Sequence, residues 1–281
     1  VPIYDQSYRP YRGSFSPHTW RWWTIARTGV THLLARRWFL IFALAITFGP
    51  VLVFGSIIWA NHQFPQQRLM PTDAEFFRKL MEFQAWAWFL ILGLFPGSGL
   101  ISNDFKGNAI QLYLSKPLTR LDYVAGKFAV LAAFFLGATL LPGLLLFFLE
   151  VGFSSDLGFV STYWWIPFAM IGYSVFTTVT WGLFVLGLSS LSRSARFVGI
   201  LLIGLTFLSS GFALALRGIL NNSALIVLSL RGNLSMLSYL FFGGESDFGD
   251  HAVGAGVVLL LMAAASALVL RARVRAVEVV T

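Results

Sequence analysis

The sequence predicts an all-α polytopic membrane protein: six transmembrane helices, an N-terminal amphipathic helix and a re-entrant helical element between spans 5 and 6. Three observations predict it. Hydrophobic residues make up 57% of the 281 and charged residues only 11%, with a mean hydropathy of +0.74; soluble domains carry about 25% charged residues. Six apolar runs reach the roughly 20 residues that a bilayer crossing needs, at 38–60, 84–102, 125–149, 165–189, 197–216 and 252–270. The basic residues segregate between alternate loops.

The segregation sets a direction. With the N-terminus cytoplasmic, 15 Lys and Arg fall inside and 5 outside, while acids divide 4 inside and 8 outside. An even number of spans then puts both termini in the cytoplasm. The excess positive charge fits anionic lipid headgroups, and no basic stripe interleaved with stacking aromatics points to nucleic acid. Residues 1–37 are polar, aromatic and Arg-bearing, and are read as a cytoplasmic segment and not as a signal peptide. Residues 271–281 are read as a short cytoplasmic tail.

Ahead of span 1, Ser16 and Pro17 suit a helix start. Trp20, Trp23, Val30, Leu33 and Leu34 share a face, which predicts an amphipathic helix along the inner interface. Between spans 5 and 6, the apolar run 219–242 is broken by Asn221, Asn222, Arg231, Gly232 and Asn233, so it is read as re-entrant or interfacial and not as a seventh crossing.

The connector 103–123 between spans 2 and 3 is the most structured of the loops. Asn108 suits the start of a short helix whose Ile110, Tyr113 and Leu114 share a face. Pro117 stops that helix. Thr119 and Asp122 then fit a capping box that restarts a helix into span 3. On spacing alone, this is either a docking element or an ordinary hairpin connector with positive charge inside.

The span cores are informative by what they lack. Apart from Lys127 at the start of the third, no Asp, Glu, Lys, Arg or His lies in the six apolar runs, which argues against a proton-driven carrier. Cysteine is absent, and His18, His32, His62 and His251 sit at or beyond span ends without metal-ligand spacing. Gly126-Lys127 resembles the end of a P-loop, but Leu121 and Phe128 break the pattern. The acidic run Gly244 to Asp250 is read as a solvated outer loop. Sodium sites built from backbone and hydroxyl groups stay open; otherwise, if the chain transports something, its energy comes from elsewhere, and the cytoplasmic connector is where another protein could deliver it.

The stretch GLISNDFKGNAIQLYLSKPLTRLDYVAGK, Gly99 to Lys127, resembles the corresponding part of ABC-2-type permease subunits of ATP-binding-cassette transporters. Members of that family read here as an apolar span end, an acidic residue, a Gly-Thr-like helix start, Ser-[Arg/Lys]-Pro and Gly-Lys entering span 3. Asp104, Gly107-Asn108, Ser115-Lys116-Pro117-Leu118 and Gly126-Lys127 stand at those positions, with Asn108 where Thr is common. The resemblance implies an elbow helix at 16–36, the re-entrant element at 219–242, and a connector that docks on a separate ABC ATPase. It implies docking residues Asp104, Lys106, Asn108, Gln111, Tyr113, Lys116 and Arg120, with Pro117, Thr119 and Asp122 holding the connector's shape.

It further implies a second permease subunit, identical or not, and a cargo path where spans 2 and 5 meet. Trp86, Phe89, Phe95, Phe207, Ser209 and Phe212 are the candidates for that path, and its apolar, aromatic character would suit an amphipathic or lipid-like cargo. The chain itself is expected to bind no cofactor, ATP and Mg belonging to the partner ATPase, and to reside in a bacterial inner membrane. The competing reading is a structural or anchoring subunit that transports nothing. A lipid-modifying enzyme is disfavoured, since no carboxylates or histidines cluster at membrane depth.

Overall fold

Eleven α-helices follow one another in the described residues of the computed structural model, which are 20–66, 70–114, 118–154, 158–244 and 251–274. They are α1 (Arg21–Leu34), α2 (Arg37–Gln63), α3 (Ala74–Leu92), α4 (Gly99–Lys106), α5 (Ala109–Leu114), α6 (Arg120–Phe153), α7 (Gly158–Tyr163), α8 (Ile166–Leu191), α9 (Ala195–Leu220), α10 (Leu230–Phe242) and α11 (Ala252–Arg273). Six continuous helical stretches are long and apolar enough to cross a membrane: α2, α3 joined to α4, α6, α8, α9 and α11. Their alternation gives the bundle two ends. One carries α1, α5 and the α8–α9 turn, and is called here the connector end; the other carries α7 and α10, and is called the far end.

Span 2 is longer than the apolar run 84–102. It starts at Ala74, where the Asp73 side chain accepts from the Phe76 backbone N–H at 3.0 Å and caps the helix. The extra turns read AEFFRKLMEFQ, and hydropathy alone hides them because the acids and bases interrupt an otherwise buried face of Phe76, Phe77, Leu80 and Met81. Glu75, Arg78, Lys79 and Glu82 therefore belong to a membrane helix, in its far-end turns.

A single π-helical turn, Gly93–Gly97, joins α3 to α4. Pro96 has no N–H to give, and the wider turn is one way a membrane helix absorbs that loss. Ser98 N–H bonds back to Gly93 C=O at 2.8 Å. Ser189 of α8 fills the gap: its hydroxyl donates to Ser98 C=O at 2.9 Å and accepts from the Ile101 and Ser102 N–H groups, both at 3.1 Å. A side chain at Gly97 would meet Val185 Cγ1 at 2.5 Å and Leu92 C=O at 2.7 Å, so only glycine lets α8 approach the break.

Helix α8 is the hub. It is buried along most of its length and packs on α6, α11, α3, α4 and α10. Helices α2 and α9 keep apolar faces open to the outside of the bundle, as membrane helices do where they meet lipid or another subunit. Helix α1 lies on α6 through close backbone contact: an added Cβ at Gly126 would strike Ile25 Cβ at 2.7 Å and Trp22 C=O at 2.9 Å. The packed face of α1 includes Ile25, Ala26 and Gly29. Trp20, Trp23 and Leu34, expected on the apolar face, are exposed.

Between spans 5 and 6 the chain folds as two short pieces and not as a crossing. Asn221 ends α9 in the left-handed conformation at φ +46°, a conformation Asn tolerates. A 3₁₀ helix, Ser223–Leu228, and α10 follow. Ser229 caps α10 by accepting from Gly232 N–H at 2.9 Å, and α10 packs on α11, α3 and α8.

Two polar clusters fix the far end. Glu150 of α6, almost fully buried, lies 3.1 Å from His62 Nε2 of α2 and accepts from Thr72 Oγ1 at 3.1 Å. Arg78, also buried, donates to Glu82 at 3.0 Å and sits 4.0 Å from the Tyr239 ring centroid on α10.

Candidate functional site

The connector is a corner built from residues 99–127. α4 ends at Lys106 and Gly107, and Asn108 turns the chain at φ +51°. Asn108 thus acts as a left-handed corner residue, where the sequence pattern predicted a helix start with its usual extended backbone. α5 follows, with Ile110 buried and Tyr113 half-buried against the bundle. Ser115, Lys116 and Pro117 lie outside the described residues, as do the side chains of Gln111 and Leu114.

The restart is fully capped. Thr119 Oγ1 accepts from Asp122 N–H at 3.1 Å, and Asp122 Oδ2 accepts from Thr119 N–H at 3.0 Å and from the Thr119 hydroxyl at 2.7 Å. These bonds satisfy donors that every helix start leaves open. They let α6 begin at Arg120, five residues before its apolar run.

Asp104 ties the two sides of the corner together. Its Oδ2 accepts from Tyr123 OH at 2.7 Å and pairs with Lys127 Nζ at 2.7 Å. The Tyr113 and Tyr123 rings lie 5.4 Å apart, and Lys127 Nζ stands 5.7 Å and 5.6 Å from their centroids. Burial first, then the Asp104 charge, pushes the Tyr113 phenol above its ordinary range, so it stays a neutral donor. The result is one mostly shielded knot joining α4, α5 and α6.

The seven docking candidates therefore divide. Lys106, Asn108 and Arg120 are exposed at the connector surface. Asp104 and Tyr113 turn inward and are spoken for by Lys127 and Tyr123, so they shape the corner and present little to a partner. Lys127, quoted as part of the Gly-Lys pair but not expected in the site, is central to it. The signal that could have found it is its spacing from Tyr123, one helical turn away on the same face. Gly126 beside it makes room for the backbone of α1.

The path candidates do not form one surface. Phe89 is a core residue: its ring stacks on Trp181 at 4.6 Å and packs against Phe135 at 4.9 Å. The helix phase of α3 turns it toward α8 and α6. Trp86 meets Phe207 of α9 at 6.3 Å, and Arg231 lies 5.2 Å from the Trp86 ring. Ser209 accepts from Leu230 N–H at 3.3 Å and so holds the start of α10. Phe212 is exposed on α9, and Phe95 is exposed beside Phe42 of α2, at 6.0 Å. Among the described residues no three His, Asp or Glu side chains come together as a metal site.

The family model described as ABC-2 family transporter protein matches residues 75–244, more than half of the chain. The chain belongs to the ABC-2 transporter family. It is an integral membrane permease of that type, and the match runs from the first turns of span 2 through the whole of α10. The connector knot, the π-helical break and the α10 element all lie inside the permease's matched region. A search of the curated proteins finds no match.

Proposed function

We propose that this permease moves an amphipathic or lipid-like cargo, driven by ATP that a separate ABC ATPase hydrolyses while docked on the connector 103–123. The observation that carries the reading is the Asp104–Tyr123–Lys127 knot. A corner tied to both α4 and α6 transmits a push on its outer surface to two membrane helices at once, whereas a slack loop would absorb it. Lys106, Asn108 and Arg120 are the surface residues that meet the ATPase in this reading; Gln111 and Lys116 are further candidates from the family resemblance. Asp104, Tyr113, Pro117, Thr119 and Asp122 hold the shape.

The orientation follows from charge. Arg21, Arg27, Arg36, Arg37, Lys106, Arg120, Lys127, Arg193, Arg196, Arg271 and Arg273 stand toward the connector end, against Arg78, Lys79, Arg217 and Arg231 toward the far end. This bias supports a reading in which the connector end faces the cytoplasm, with a bacterial inner membrane as the site of action. A second permease subunit completes the transporter, with ATP and Mg held by the ATPase pair. Trp86, Phe207 and Phe212 remain the path residues in this reading.

The test is co-expression of the permease with its candidate ABC ATPase, followed by co-purification and cargo-stimulated hydrolysis. K106E/R120E should lose the ATPase from the complex. Full association and full stimulation in that variant would contradict the docking role and favour an anchoring subunit that transports nothing.

A further inference from the structure

We propose that the groove between α1, α2 and α4 is a binding site for one anionic membrane phospholipid, with its phosphate on Arg36 and Arg37 and an acyl chain along Phe42 and Phe95. The proposal rests on the chain spanning a membrane and does not depend on the cargo or the ATPase.

The groove has a volume of about 1080 Å³ and a sharp division of chemistry along its length. Its rim, at the connector end, holds His32, Arg36, Arg37, Asp104 and Lys127. Its depth is apolar, lined by residues of α2 and by Phe95 and Pro96 at the π-helical turn. From Arg37 to Ala45, α2 rises about 12 Å. The groove therefore descends from the headgroup level well into the hydrocarbon region of a bilayer.

Its apolar side opens sideways. Ile41 is 60% exposed and Phe95 69%, on the outer face of the bundle, where a spanning helix meets lipid. An acyl chain can enter from the bilayer without passing through water. Trp38, 86% exposed at the rim, stands at the depth that interfacial tryptophans favour.

Charge selects the headgroup. Arg36, Arg37 and Lys127 against Asp104 leave two positive charges at the rim, His32 not counted. The Arg36 guanidinium donates to His32 Nε2 at 3.1 Å, and Arg36 is otherwise exposed, with further N–H groups to give. Arg37 has no hydrogen-bond or ion-pair partner among the described residues. The rim carboxylate, Asp104, is already committed to Lys127 and Tyr123. A phosphate finds two guanidinium groups there, whose fork geometry suits it. A choline ammonium finds no free carboxylate, so an anionic lipid is favoured over a zwitterionic one.

Native mass spectrometry of the full-length permease in detergent, titrated with phosphatidylglycerol or phosphatidylcholine, tests this, together with photoreactive phosphatidylglycerol carrying its label on the acyl chain. The expected result is a phosphatidylglycerol adduct favoured at least tenfold over phosphatidylcholine, unaffected by excess inorganic phosphate, with photolabel on α2 and the Phe95 region. R36Q/R37Q should lose about tenfold in binding, and the matched charge loss R193Q/R196Q should not. Ala45→Trp, which fills the apolar depth and leaves every charge in place, should also abolish the adduct. Equal binding of the two lipids, equal loss in both arginine pairs, displacement by inorganic phosphate alone, or label mapped elsewhere would each overturn the proposal. So would a cysteine at Ala45 that cross-links to a second copy of the permease, since the groove would then be a subunit contact.

Discussion

The two ends of this permease use ionic groups in opposite ways. At the far end, Glu150 and Arg78 are almost completely buried, and each is tied to residues outside its own helix: Glu150 through one carboxylate oxygen to His62 and Thr72, and Arg78, which also pairs with Glu82 on its own helix, to Ser238 and Tyr239. At the connector end one pair, Asp104 and Lys127, is mostly shielded, and a set of exposed cations, Lys106 and Arg120 among them, lies at the surface around it. Buried pairs fix one arrangement of helices because breaking them exposes a charge with no partner. Exposed cations contribute little to stability and are free to meet another molecule. In the proposed reading, the contrast separates a part of the fold that holds from a part that receives.

Substitutions can break this contrast. The largest loss of stability is expected from Arg78→Ala, about 3 kcal/mol, because it strips a buried cation from Glu82 and Tyr239. Thermal unfolding in detergent should show it, while the ATPase still co-purifies. Asp104→Ala should cost less, about 2 kcal/mol, since Lys127 can reach water at the rim. Its cargo-stimulated hydrolysis should nevertheless fall more than that of Arg78→Ala measured below its unfolding temperature.

Smaller effects sharpen the picture. Ser189→Ala removes the acceptor of the Ile101 and Ser102 N–H groups at the π-helical break and leaves Ser98 C=O with the Ser102 hydroxyl, for about 1–2 kcal/mol by the same melt. Thr119→Ala removes a helix cap worth about 1 kcal/mol. Hydrogen exchange should then rise in the first turn of α6 and stay unchanged at Glu150.

Much of this was legible in the sequence, and the reason differs by region. The spans were readable because a long apolar run has few folded alternatives. The capping box at Thr119 and Asp122 was readable because it is local, three residues apart. The far-end turns of span 2 were hidden because Glu75, Arg78, Lys79 and Glu82 lower the hydropathy of a stretch whose other face is buried. Arg78 finds its Tyr239 partner 161 positions away in the sequence, beyond any spacing rule. That Phe89 packs in the core was hidden for a related reason: an aromatic in an apolar helix faces lipid, core or path by helix phase, and the phase depends on which neighbours α8 and α6 present. Asp104 and Tyr113 were expected at the docking surface, and the partners that draw them inward, Tyr123 and Lys127, belong to the next helix.

The most direct test of the central claim compares two variants in one assay of ATPase association and cargo-stimulated hydrolysis. K106E/R120E alters the outer surface of the corner, and Asp104→Ala loosens the knot behind it. The account predicts that the first loses the ATPase, while the second keeps it bound and loses stimulation. Wild-type association and stimulation in both variants would contradict it.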